Sequence, residues 1–477
     1  MATVATGLVL AVLAVRSRPS LPGVLVAATL VGASVVTAFW PIAGRSGEQW
    51  LPVLVRWAVT GVTGHRFQAD PGPASGRRLT VAAGPHGDRL AEEPGPFEPA
   101  PGSVFDGLRI RSSSGDEDGA PGMGVVVDER ARTVTAVLSV RGHSFALLGP
   151  GDQDARVSSW ARVLASLARE GSAVHRLQWV ETCLPDDGRA VHGHFAGHAV
   201  LDHEAPATRS YRSLLDEAAP VTRRHGLLVA VTVHRGRSVR AVRTAGGGLG
   251  GAIAVLAREV TALHRSLTAA DLVVDGVLGR GSLGRALEEA LGPAPGGSPE
   301  VPAGPERRDP WPMGVRARWD AVRTDGAWHA VYWVSEWPRV DVHPDFLGPL
   351  LFAPLRRTLS VVMEPVDPVR AARQVAQART AGIADGELRR RNGFLSSARH
   401  AREHASIEDR DVELSDGHAQ FRFSGYVGVT ADSERELVGA CAAVEQAAGQ
   451  SRLDVRRLYG QQDAALLCLL PLGRGLS

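Results

Sequence analysis

From Leu21 to Ala43 the chain reads LPGVLVAATLVGASVVTAFWPIA, without a charged side chain. About 20 uncharged residues, rising ~1.5 Å each in a helix, suffice to cross a ~30 Å hydrocarbon core. Trp40 stands near the end of the stretch, where an indole favours the level of lipid headgroups. The stretch reads as a membrane span. The preceding ATVATGLVLAVLAV is also uncharged but shorter, so residues 1–43 are expected to form a transmembrane hairpin. A cleaved signal peptide fits less well, because no Lys or Arg precedes the first apolar run and the second is too long for a signal core. Arg16 and Arg18 lie between the two runs, whereas Arg45, Arg56, Arg66, Arg77 and Arg78 follow the second. That excess places the bulk of the chain on the cytoplasmic side of the cell membrane.

A chain of 477 residues exceeds what one hydrophobic core usually organises, so two or three domains are expected. The net charge of +2 lacks the uncompensated basic surface of a nucleic-acid binder. Cys183, Cys441 and Cys468 are far apart, which suits neither a disulfide framework nor a zinc site and points to a reducing compartment. The chain contains no lysine: all 53 residues of the Lys and Arg class are arginine. A P-loop, a kinase strand lysine, an S-x-x-K nucleophile and a lysine Schiff base are therefore excluded.

Past the apolar stretch, residues 44–69 contain EQWLPVLVRWAVTGV, an amphipathic juxtamembrane segment that suits either a membrane interface or a core. Residues 70–102 and 292–310 are rich in Pro and Gly and read as linkers. Between and after them lie an α+β domain at 103–291 and a second at 311–477, the latter with a long charged helical region at 368–410. Strands alternate with helices in both, implying helices layered on a sheet. The last segment gives RTLSVVMEPV, FRFSGYVGVT and RLDVRRLYG as strands around the helix SERELVGACAAVEQAA, close to a ferredoxin-like α+β sandwich. The Trp-dense stretch holding Trp311, Trp319, Trp328, Trp333 and Trp337 reads as a packing cluster at a domain junction.

No catalytic residue is assigned. Gly246, Gly248 and Gly251 satisfy G-x-G-x-x-G, with Asp271 at roughly the ~20-residue distance of a ribose-binding acid. The pattern counts only between a strand and a helix. Otherwise it is a glycine loop opening a helix, where absent Cβ atoms allow close backbone approach. His192, His194, His198 and His203 are weak metal candidates, because their spacing fits no helical H-E-x-x-H and they lack a thiolate or acidic partner. A polar loop with exposed histidines is the alternative. Cys183 has His175 and Asp186 near it in sequence, but a triad is assembled in space. No cofactor is expected.

The stretches DGHAQFRFSGYVGVTA, ACAAVEQAAGQSRLDVRRLYGQQDAALLCLLPLGRGL and WPIAGRSGEQWLPVLVRW resemble a family of actinobacterial integral membrane proteins. These are similar in turn to the non-ATPase amino-terminal half of VirB-type conjugation ATPases, in which a segment resembling LLPLG comes shortly before the motor core. The resemblance places that core where this sequence stops. It implies a non-catalytic scaffold in a conjugation-like or type IV secretion-like apparatus, with the lipid bilayer, a separate ATPase, other membrane subunits and copies of itself as partners. Two amino-terminal apolar runs followed by AWHAVYWVSEWP also resemble EccE, a membrane component of type VII secretion. An enzyme reading uses Gly246 to Gly251 for a nucleotide.

Overall fold

A computed structural model describes residues 47–62, 99, 103–113, 122–142, 145, 148–186, 189–198, 205–218, 223–293, 310–391 and 398–476, with helical pieces at 11–13, 16, 27–29 and 31–32. The chain order is α1 (Gly47–Val62), β1 (Leu108–Ser112), β2 (Gly124–Asp128), β3 (Thr133–Arg141), α2 (Pro150–Leu167), β4 (Val174–Pro185), α3 (Arg189–His198), α4 (Pro206–Ala218), β5 (Arg223–His234), α5 (Val239–Thr244), α6 (Gly248–Ala269), β6 (Val273–Val277) and α7 (Arg280–Leu291). It continues with β7 (Val315–Ala317), β8 (Val322–Thr324), β9 (Ala327–Glu336), α8 (Gly348–Leu351), β10 (Arg357–Pro365), α9 (Pro368–Arg391), α10 (Ala398–Ser415), β11 (Phe421–Ala431), α11 (Glu434–Gln450), β12 (Asp454–Arg457) and α12 (Gln462–Leu469).

All twelve strands form one antiparallel sheet in the order β1-β2-β3-β5-β4-β10-β11-β9-β8-β7, with β6 on β3 and β12 on β9. The order is palindromic. In the first half β3, β4, β5 and β6 line up as β6-β3-β5-β4, and in the second β9, β10, β11 and β12 line up as β12-β9-β11-β10. Each half is thus a split βαβ unit of the ferredoxin kind, bearing an added hairpin strand on the same edge as its last strand. The halves meet where β4 pairs with β10, from Cys183 opposite Arg357 to Leu177 opposite Met363.

Alternation in the strands builds three apolar layers. On one face Val125, Val127, Val134, Leu138, Leu177 and Val231 meet Val163 of α2 and Val255, Leu256 and Leu263 of α6. On that face of the second half, Tyr332, Leu359 and Val427 meet Leu437, Cys441 and Val444 of α11. The Ser433 hydroxyl accepts from the Glu436 amide to start α11, a capping arrangement legible as S-x-x-E. The opposite face carries one cluster common to both halves: Val126, Val137 and Ala230 join Val331, Val362 and Tyr426 beneath α7 and α12.

These findings correct the expected fold class. Among the described residues no helix is long and apolar enough to cross a membrane, so the expected transmembrane hairpin is not shown by this fold. Most of residues 1–43 lie outside the described residues, and absence of charge, on which the expectation rests, states the solvent a segment prefers and not its backbone. Two separately layered domains, the last alone ferredoxin-like, are also replaced, by one sheet with a shared core. Strand periodicity fixes which face is buried but not which strand lies alongside. The Pro/Gly stretches at 70–102 and 292–310 lie almost wholly outside the described residues.

Behind α12 the chain crosses the seam as a strap. Gln178 Nε2 donates to Ser360 Oγ at 2.9 Å and to the Leu470 carbonyl at 2.8 Å, while the Gly473 amide donates to Gln178 Oε1 at 2.7 Å. Ser360 Oγ donates to the Cys468 carbonyl at 2.6 Å. Arg176 donates to the Gly473 and Leu476 carbonyls, and Arg474 pairs with Asp128. Gly473 has φ +67, and a Cβ there would fall on the Thr232 hydroxyl. Gly473→Ala therefore combines left-handed strain with overpacking. It is expected to lower unfolding stability by about 2–4 kcal/mol in urea titration.

Candidate functional site

The glycine run lies between two helices. β5 ends at His234, α5 intervenes, and α6 begins at Gly248. Gly246, Gly247 and Gly248 have φ of +99, +74 and +60, with open space where their Cβ atoms would be. Gly251 serves another purpose, since a Cβ there would meet the Val242 carbonyl at 2.5 Å and its absence lets α6 pack closely on α5. Asp271 follows the far end of α6, whose 22 residues span about 33 Å. There it pairs with Arg156. The fold does not bring the glycines and the acid to one ligand.

His192, His194 and His198 lie on α3, where a loop was expected. His194 and His198 stack with ring centroids 4.2 Å apart, and His198 Nδ1 bonds the His194 carbonyl at 2.9 Å. His192 turns instead toward Asp216 on α4, at 3.5 Å. No group of three or more metal-ligating side chains occurs among the described residues, and His203 lies outside them.

A polar constellation that sequence reading missed sits at one end of the seam. Glu181 of β4 receives Arg357 of β10 in a fork, Arg357 Nη1 donating to Oε2 and Nη2 to Oε1 at 3.3 Å, and Arg357 also donates to the Leu351 carbonyl. The Arg357 side chain is fully buried. Glu181 Oε1 lies 2.8 Å from His225 Nδ1 on β5, and His225 Nε2 faces Cys183 Sγ at 3.9 Å. An ionised Glu181 requires the proton on Nδ1 and leaves Nε2 as acceptor toward the thiol, the order of nucleophile, base and orienting acid. Cys183, however, is 1% exposed, and burial pushes its thiol upward. A thiol buried in this way is out of a substrate's reach, so the cluster acts as a structural knot. The thiol's histidine is thus His225 and the orienting acid Glu181, in place of His175 and Asp186.

The other end of the seam carries a second knot. Glu364 of β10 accepts from Arg237 at 2.6 Å and lies 3.7 Å from Arg176 Nε and 3.8 Å from His175 Nδ1. Burial pushes the Glu364 carboxyl up, but the Arg237 hydrogen bond and the charges of His175, Arg237 and Arg176 outweigh it and hold it low. Burial, then the Arg176 charge, push His175 down to about 4. Fully buried His329 bridges Thr324 Oγ1 at 2.8 Å and Thr430 Oγ1 at 3.0 Å, and desolvation pushes it down to about 3.

The tryptophans of 311–337 have separate roles. Trp311 packs on Phe105, Trp333 donates to Ser424 Oγ at 3.0 Å, and Trp328 lies under Arg318 and Arg323. Trp319 receives α1: Trp50 stacks on it at 5.7 Å and Trp57 meets it edge-on at 5.5 Å.

Two outcomes follow from these knots. Arg357→Ala leaves Glu181 buried without its charge partner and is expected to cost about 3–5 kcal/mol in chemical denaturation, largely recovered by adding Glu181→Leu. His175 and His329 take up a proton more readily unfolded than folded, so stability is intact above about pH 6.5 and falls as pH drops toward 4. The expected slope is about 1.4 kcal/mol per pH unit for each histidine, and His329→Gln should reduce it by one histidine's share in urea titrations at pH 7 and 5. Compared with models of known protein families and with curated proteins, the sequence matches none.

Proposed function

We propose that the protein is a non-catalytic scaffold subunit held at the cytoplasmic face of the cell membrane, in a conjugation-like or type IV secretion-like apparatus, where it works beside a separate ATPase. The observation that carries the reading is the use made of LLPLG, residues 469–473. In the ATPases that the chain resembles, such a segment leads into the motor. Here its backbone is fastened across the β4–β10 seam by Gln178 and Arg176, and the Arg474 that follows it is tied to Asp128. A segment engaged in this way braces the body, which suits a support that works beside a separate motor. The ionic groups nearest the seam are likewise committed to each other, which suits a rigid support. The uncharged Leu21–Ala43 stretch and the arginines after it support the membrane location.

Purification of the full chain in mild detergent should bring down a conjugation-type ATPase together with other membrane subunits. Recovery of a type VII ATPase complex instead would assign the protein to the EccE-like alternative. Nucleotide hydrolysis or dinucleotide binding by the purified protein, abolished by Gly248→Val, would overturn the scaffold reading in favour of an enzyme.

A further inference from the structure

Helix α1 has two apolar sides and one of them is left bare. At 100° per residue, Trp50, Val53 and Trp57 share one side. That side is docked: the two indoles pack on Trp319, Trp50 also lies 6.5 Å from Tyr459, and Val53 is 4% exposed. Trp319 lies between β7 and β8 and Tyr459 follows β12, so α1 is fixed to the β9 edge of the second half. About a third of a turn round the helix, Leu51, Leu54 and Val55 form an aliphatic stripe with exposures of 58%, 49% and 55%. Water contact with such a stripe costs on the order of 25 cal/mol per Å².

We infer that the Leu51, Leu54 and Val55 face of α1 lies in the acyl boundary of the bilayer, so that the Trp319 stack holds the sheet at a set orientation to the membrane. The inference rests on the membrane location in the proposed function and not on its secretion partners. Only Gly44, Arg45 and Ser46 separate α1 from the uncharged Leu21–Ala43 stretch, which bears Trp40 near its end. Residues 44–69 carry Arg45, Arg56 and Arg66 against the single acid Glu48, a balance that suits anionic headgroups. The stripe is purely aliphatic. A second copy or a protein partner would need a far larger patch, of about 800 Å² per side and centred on aromatic anchors, and the aromatic residues of α1 are already turned inward.

Full-length protein carrying Leu54→Cys can be labelled with a polarity-sensitive maleimide and reconstituted into vesicles of phosphatidylcholine and phosphatidylglycerol. Native Cys183 and Cys441 are buried, and desolvation pushes Cys468 up to about 11, so the introduced thiol reacts first. Brominated acyl chains should quench about half or more of the emission at position 54, and at position 51 in Leu51→Cys, while leaving a label at Val438→Cys on α11 unchanged. Vesicle-bound protein whose position-54 label stays water-like, or responds to protein concentration and not to bromolipid, would overturn the inference while leaving membrane association standing. Protein that does not float with vesicles would overturn both.

Discussion

β4 and β10 are separated by more than a third of the chain, and their pairing closes a loop whose entropic cost must be met by contacts specific to that register. Backbone hydrogen bonds alone do not choose a register, since a shift by two residues restores them. Side chains do. Arg357 reaches Glu181 at one end, Arg237 and Arg176 reach Glu364 at the other, and Gln178 reaches Ser360 in the middle. A slip of two residues would leave a fully buried guanidinium without its carboxylate, at a cost of several kcal/mol. The seam is therefore definite, and the face spanned by Val137, Ala230, Val331 and Val362 can be packed as a single core. The strap from Cys468 to Leu476 can cross only because both halves beneath it are in fixed register.

Much of the local structure was legible. Alternation in AWHAVYWVSEW and FRFSGYVGVT announces β9 and β11, and Ser433 with Glu436 announces the start of α11. The assembly of these parts was not. Glu181 and Arg357 stand 176 residues apart, and neither carries a motif. The two halves share an order of elements rather than a pattern of residues: the connection between β3 and β4 is the 18-residue α2, whereas that between β9 and β10 contains only the four-residue α8. Such a repeat is invisible to periodicity. The uncharged Leu21–Ala43 stretch meets a related limit, because hydropathy states which solvent a segment prefers and not what backbone it adopts.

The palindromic order decides where the helical insertions of the two halves lie. Each half inserts a pair of helices at the same point, α3 and α4 between β4 and β5, and α9 and α10 between β10 and β11. Because β4 and β10 are antiparallel neighbours, the chain leaves them toward opposite ends of the sheet. The two helical arms are thereby carried apart. The longer arm extends about 36 Å along the 24 residues of α9 and is joined to α10 by Arg379 and Asp411 at 3.0 Å. Both arms present apolar side chains to solvent, Tyr211 and Leu214 on α4, Ile383 on α9 and Val412 on α10. A sheet fused from two equivalent units thus fixes the separation of two projecting arms through its seam. The separation of the arms is decided at the β4–β10 seam, by the same buried pairs that choose its register.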